Sequence, residues 1–157
     1  QPPELEGVFL CHEFCALGYS PFNDMLDEVR AFMEENPREV LFMVIQDETS
    51  SEDTTQAFAD TGLLPYIYAH PNGEPWPTMR TLIDSGQRLI VLAENEGPPP
   101  AWYGNAFDVT QETPYTFIFP SQFNCRPSRG APDNPLFMVN HWIQRGAPNR
   151  VDVTPGR

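Results

Sequence analysis

The chain has 157 residues, 40% of them apolar and 12% aromatic, with a formal net charge of −13. That is apolar material enough for one domain with a core, and too much for a disordered chain. All nine cations are arginine, against 22 carboxylates; such a chain is excluded as a non-specific nucleic-acid binder, because phosphate neutralisation needs clustered cations, and it gains no long-range attraction to anionic lipid surfaces.

In chain order, Gly7–Cys11 is an apolar run that stops at His12. Ser20 then offers an N-cap and Pro21 a first helical residue. Phe22, Met25, Leu26, Val29, Phe32 and Met33 make one apolar helix face, and Asn36-Pro37 ends it. Val40–Ile45 is a second run, ending at Gln46 and Asp47. With the helix between, the two runs predict a β–α–β unit with a right-handed crossover. Ser50 to Asp53 opens a second helix that ends at Gly62, and a Pro/Gly loop covers His70 to Pro77. Thr78 caps a short helix with Met79, Leu82 and Ile83 inward, closed by Gly86. The run Leu89–Ala93 stops at Glu94. Pro98–Pro100 marks an exposed loop; Trp102 and Tyr103 beside it read as packing residues, with an interfacial tip as their alternative. Either Val109–Gln111 or Tyr115–Phe119 supplies a further short strand, near Glu112. Leu136–Val139 stops at Asn140 and His141, and from Gly146 onward the chain reads as loop. No apolar run approaches the ~20 residues needed to span a bilayer.

Continuous apolar runs without alternation read as parallel strands buried on both faces. In parallel α/β folds the chemistry collects at the carboxyl ends of the strands. One rim is therefore expected to gather His12, Asp47, Glu94 and Asn140, with Glu112 from the short strand. The fold class is α/β, either an open doubly wound sheet or part of a (β/α)8 barrel. A complete barrel takes about 250 residues, so residues 1–157 would be the central and C-terminal part of one barrel domain whose N-terminal strands are missing. An imidazole, with its usual pKa of about 6.5, can donate a proton near neutral pH, which makes His12 a candidate acid; a core histidine is the alternative. Asp47 could orient a histidine, bind a sugar hydroxyl or cap the next helix. Glu94 and Glu112 could bind a hydroxyl or pair with a loop arginine. Neighbouring strand residues face opposite ways, so Asn140 is expected inward and His141 structural. Arg126 and Arg129 flank a turn before Gly130 and either bind phosphate or staple the loop. Cys11, Cys15 and Cys125 are an odd set: in an exported chain a Cys15–Cys125 bridge is favoured over metal binding, and buried free thiols are the alternative.

Several of these segments carry a family resemblance. Leu10-Cys-His-Glu-Phe-Cys-Ala-Leu-Gly18 resembles the segment around the second catalytic histidine of phosphatidylinositol-specific phospholipase C X-domain-like proteins. Glu35–Val40, Ile45-Gln-Asp47, Trp76-Pro-Thr-Met79, Ser85–Val91, Cys125-Arg-Pro-Ser-Arg-Gly130 and Leu136–Trp142 resemble further segments of that family in the same order. The resemblance implies a distorted TIM-type barrel, present here in part, that hydrolyses a phosphatidylinositol-like or other lipid-linked phosphodiester with a histidine base and a histidine acid. His12 matches the acid; the base belongs to a Thr-His-Asn-like segment with no match in this chain. Gln46 stands where calcium-dependent relatives keep a metal-binding glutamate, and a neutral amide is a poor ligand for a hard cation. The implied reaction is thus metal-independent and needs no cofactor, with Ca²⁺ left open. The implied partners are a phospholipid or other phosphodiester substrate and peripheral membrane contact, without a transmembrane segment, and the implied location is secreted or extracytoplasmic. Two alternatives stand beside it: a non-catalytic secreted barrel that binds a headgroup, glycan or protein, and a metal-dependent glycerophosphodiester-type enzyme with a Glu/Asp/Glu cluster.

Overall fold

The structure is a computed structural model of the chain and describes residues 7–11, 15–71, 73–144 and 150–152. It is mixed α/β and divides into two compact units, Gln1–Asn105 and Ala106–Arg157. In the first unit the order is β1 (Phe9–Cys11), β2 (Tyr19–Pro21), α1 (Phe22–Glu35), β3 (Leu41–Ile45), α2 (Ser51–Asp60), α3 (Met79–Ser85), β4 (Leu89–Ala93) and β5 (Tyr103–Asn105). The second unit holds α4 (Ala106–Val109), β6 (Thr110–Glu112), β7 (Leu136–Met138), β8 (Trp142–Gln144) and β9 (Arg150–Asp152).

The first unit is built on a parallel sheet of order β3-β4-β5, with Leu41 opposite Leu89 and Val91 opposite Tyr103. β4 is buried along its whole length, as a run apolar on both faces should be. Leu89, Val91 and Ala93 turn one way and pack with Phe22, Leu26 and Met33 of α1, with Ala57 and Phe58 of α2, and with Leu63, Ile67 and Tyr103. Each fully buried Leu or Phe in such a core contributes on the order of 1.5–3 kcal/mol. Both α2 and α3 start as their sequences predict. Ser50 accepts a hydrogen bond from the Asp53 amide, Thr78 accepts one from Thr81, and Gly86 closes α3 with φ of 76°.

Arg88, just before β4, is buried, and among the described residues its side chain is held by carbonyls rather than by a carboxylate. Its Nη1 donates to the carbonyls of Asn36 and Glu39 at 3.0 Å each, and Nη2 donates to the Met33 carbonyl. A guanidinium here satisfies the carbonyls that a helix leaves unpaired at its C-terminus and meets the negative end of the helix dipole.

Other expectations are corrected. Strand β1 pairs antiparallel with β2, not with β3, because Tyr19–Pro21 is extended and turns back on it. Pro21 is therefore the N-cap and α1 begins at Phe22, one residue later than the Ser20-Pro21 signal suggested. β3 is apolar throughout but is not buried on both faces: Phe42 is 43% and Val44 40% exposed. Met79 points outward, 58% exposed. Trp102 and Tyr103 do pack in the core, as expected, and form no interfacial tip: Tyr103 is fully buried as the first residue of β5, and Trp102 packs on Phe58 at 5.3 Å. The disulfide joins Cys11 to Cys15, and Cys125 is free and exposed. The two Cα atoms lie 5.0 Å apart, inside the usual range for a bridge.

In the second unit β6 and β7 pair in parallel, with Glu112 opposite Met138, and β8 pairs antiparallel with β9, a strand where the sequence read as loop. Tyr115–Phe119 forms no strand. Among the described residues the strands fall into four separate sheets, none of them closed into a barrel.

Candidate functional site

The parallel register of β3 and β4 delivers two of the expected residues side by side. The Glu94 amide extends the ladder by donating to the Ile45 carbonyl at 2.8 Å, so the chain leaves both strands at one level. Asp47 is 3% exposed there. Its Oδ1 accepts from the amides of Glu94 at 3.1 Å and Asn95 at 2.8 Å, and its Oδ2 from that of Glu96 at 2.8 Å. The Asn95 side chain donates back to the Asp47 carbonyl at 2.7 Å. The carboxylate thus ties down the loop after β4, and three amide dipoles compensate its charge. The cap of α2 is Ser50, not Asp47. Glu94 is half-buried and Gln46 exposed. Gly97 turns this loop with φ of 67°; a Cβ there would lie 2.6 Å from the Tyr103 carbonyl oxygen. The Tyr103 hydroxyl is buried, and no hydrogen bond of normal geometry reaches it among the described residues. Burial, then the negative charge of Asp47, raise its pKa, so the phenol keeps its proton.

The second unit holds the other pair. Glu112, the last residue of β6, is 2% exposed. The guanidinium of Arg129 grips it in bidentate fashion, Nε to Oε2 and Nη2 to Oε1 at 2.9 Å. Asn140 Nδ2 donates to the same Oε1 at 2.9 Å and to the Thr113 carbonyl at 2.9 Å, while the Asn140 amide donates to Thr113 Oγ1 at 2.8 Å. The backbone supports the pair: the Glu112 amide donates to the Arg129 carbonyl at 2.8 Å and the Ser128 amide to the Glu112 carbonyl at 2.7 Å. Phe107 and Tyr115 lie 4.3 and 4.8 Å from the guanidinium carbon, within cation–π range. Burial pushes the Glu112 pKa up, but the hydrogen bonds from Arg129 and Asn140 and the arginine charge outweigh it and leave it lowered. Gly130, with φ of 75°, lets the turn lie on β6; a Cβ there would sit 1.8 Å from the Thr110 carbonyl oxygen.

Asp47 with Glu94, and Glu112 with Asn140, are therefore the sets brought together, each within its own unit. His12 lies outside the described residues. His141 is exposed and rests on Phe123 at 4.6 Å. Arg126 is exposed, while Arg129 is the loop staple that was one of its two readings. His70 is half-buried and stacks on Trp76 at 3.9 Å. Sequence reading missed Thr113 and the amides of Asn95 and Glu96, because backbone donors leave no residue-type signal. Among the described residues no three His, Cys, Asp or Glu side chains converge as a metal site, and no helix is long and apolar enough to cross a membrane.

The profile of the PI-PLC X domain family (PI-PLC X 1) matches residues 3–151. A PI-PLC X domain-containing protein 1 of Arthroderma benhamiae is 31% identical over 88% of this chain and 50% of its own length. A PI-PLC X domain-containing protein of Arabidopsis thaliana is 30% identical over 54% of this chain and 22% of its own. An uncharacterized secreted protein of Arthroderma benhamiae is 26% identical over 85% and 34%. The chain thus spans half or less of the length of these relatives. No solved structure matches it. With the profile covering nearly every residue, the chain belongs to the PI-PLC X domain family.

Proposed function

We propose that this chain is the central and C-terminal part of a TIM-type barrel domain that hydrolyses a phosphatidylinositol-like or other lipid-linked phosphodiester by histidine acid–base catalysis. The observation that carries the reading is the family match across residues 3–151, which includes the Leu10–Gly18 segment with His12. In this reading His12 is the general acid that protonates the departing oxygen. This reading assigns substrate binding to Asp47 and Glu94 in the first unit and to Glu112 and Asn140 in the second, and no metal takes part. The parallel strands support it, because they end in polar side chains at the end where α/β enzymes keep their chemistry. A secreted location goes with it, supported by the Cys11–Cys15 disulfide and by the relative called a secreted protein.

One observation favours a second reading, a non-catalytic barrel that binds a headgroup, glycan or protein. Both oxygens of Asp47, and both of Glu112, are already occupied by the protein's own donors. The two readings part in one assay. The intact protein is given labelled phosphatidylinositol in mixed micelles, and release of water-soluble phosphorylated headgroup is followed. The hydrolase reading expects release, and His12→Ala lowers it by roughly 10²–10⁴, the usual share of a positioned acid. Release that His12→Ala leaves unchanged removes His12 from the role, and no release by the intact protein favours the binding reading.

A further inference from the structure

We propose that the Cys11–Cys15 disulfide is a redox switch: it keeps the β1–β2 hairpin ordered, and a dithiol reductant that opens it releases the hairpin while the core of the first unit stays folded. Its consequence for catalysis rests on the hydrolase reading, because His12 stands between the two cysteines in sequence; the structural switch itself does not. The chain leaves the core at Val8 and re-enters it at Phe22, whose amide donates to the Val8 carbonyl at 2.9 Å. Among the described residues between these two, none is buried. What orders this excursion is therefore local. Phe9–Cys11 pairs antiparallel with Tyr19–Pro21, and Phe9 meets Tyr19 edge-on at 5.2 Å. The Gly18 amide donates to the Cys15 carbonyl at 3.2 Å. The disulfide starts from Cys11, opposite Tyr19 at the end of the ladder far from Val8 and Phe22. A two-stranded hairpin without a buried face is marginal in water, so a covalent link at its far end decides whether it persists.

Two features separate a local switch from a staple of the whole unit. The cysteines are 4 positions apart, and a ring that short restricts the unfolded chain less than a long one does. Cys11 is also exposed, with Cys15 half-buried, and exposed bridges are the ones that reductants open. In the exchange, one thiolate of the dithiol attacks Cys11 Sγ. The Cys11–Cys15 bond breaks, and Cys15 leaves as a thiolate that takes up a proton. The second thiolate of the reductant then displaces Cys11, which takes up a proton in turn. Two electrons have passed to the protein, the reductant ends as its own disulfide, and both protons come from its thiols. An oxidised dithiol reverses the sequence. The bistable element is the hairpin, and the bond state is what biases it.

The test treats the intact protein with dithiothreitol under native conditions and follows thiol alkylation, amide hydrogen exchange and headgroup release together. Alkylation is expected to extend from Cys125 alone to Cys11 and Cys15 as well. Exchange of the β1 and β2 amides is expected to quicken by at least about tenfold, with the β4 amides unchanged, and reoxidation should restore the slow rate. Cys125→Ser should respond as the wild type does, which separates the bridge from the free thiol. Cys11→Ser/Cys15→Ser should exchange like the reduced protein with or without dithiothreitol; the reduced wild type gives the same comparison if that variant does not fold. A bridge that stays closed in the folded protein, unchanged β1 and β2 exchange after reduction, or equally faster exchange in β4 overturns the proposal. Headgroup release is expected to fall on reduction and return on reoxidation, and release indifferent to the bond overturns control of the site. If the oxidised protein releases no headgroup, the hydrolase reading fails, and the exchange data still decide the switch.

Discussion

Without Arg129, Glu112 would remain buried with the Asn140 amide as its remaining side-chain donor, and a carboxylate in that position has lost most of what compensates its desolvation. Arg129→Met, which keeps much of the aliphatic volume, is therefore expected to destabilise the protein by about 2–4 kcal/mol. That is below the full penalty for a deeply buried pair, because the arginine is partly solvated. Urea unfolding at neutral pH measures it, and a loss under about 0.5 kcal/mol would mean that the pair is no stronger than a surface contact. The same site sets an acid limit. The Glu112 pKa is depressed below its ordinary value of 4.5, so the unfolded chain binds the proton more readily than the folded one. Stability from this group is complete above that ordinary value and is lost as pH falls through the folded pKa. Glu112→Gln is expected to be less stable than the wild type at neutral pH and to flatten the stability curve below the ordinary value. A variant with the same acid slope would assign that slope to other carboxylates. Glu112, Arg129 and Asn140 were visible in the sequence as polar residues at a strand end or in a turn, while Thr113 was not. Their pairing was not, since 17 and 28 residues separate the partners and no local pattern encodes such a contact.

Helices and strands were legible where local chemistry decides them. The face of α1, apart from Phe32, which is 41% exposed, the caps of α2 and α3 and the runs of β3 and β4 follow from side-chain spacing and cap residues alone. β5 was not legible, because Tyr103-Gly-Asn has turn composition and becomes a strand by pairing with β4. The same holds for β8 and β9, which exist through each other. Arg88 lies between these cases. It was visible as part of the Ser85–Val91 segment, but its task depends on where α1 ends in space. Arg88→Leu should leave the carbonyls of Met33 and Glu39 without this donor, and that of Asn36 with the Glu39 amide alone, and cost about 2–3 kcal/mol. Arg88→Lys should recover only part of that, because an ammonium cannot reach three carbonyls with a planar fork. Hydrogen exchange of the last turn of α1 reads the effect directly: faster exchange there in Arg88→Leu, with the α2 amides unchanged, is the expected pattern. Uniformly faster exchange would show that Arg88 supports the unit as a whole rather than one helix end.

At the scale of the molecule, composition predicted an apolar core, and the unbroken apolar runs predicted strands that run parallel, as β3-β4-β5 and β6-β7 do. Which strands become neighbours was beyond it. The run Gly7–Cys11 looks like the others, yet it pairs backwards with Tyr19–Pro21, and apolar periodicity carries no information about a partner's identity or direction. Composition does fix one global property, the imbalance of 22 carboxylates against nine arginines. Among the described residues, the ion pairs are Arg30 with Asp27 and Glu34, and Arg129 with Glu112. A net charge of −13 then acts as self-repulsion that opposes the compact state. Raising NaCl from 0.01 to 0.1 M shortens the screening length from about 30 to about 10 Å. This weakens repulsion spread over the surface while leaving the buried Glu112–Arg129 contact nearly intact. Relief of about 1 kcal/mol corresponds to a rise of about 2–4 °C in melting temperature for a chain of this size. Differential scanning calorimetry over that range, repeated with KCl to exclude a sodium-specific effect, measures it. If the melting temperature fell instead, the exposed pairs around Arg30 would outweigh the dispersed repulsion, and the acidic surface would be a source of stability.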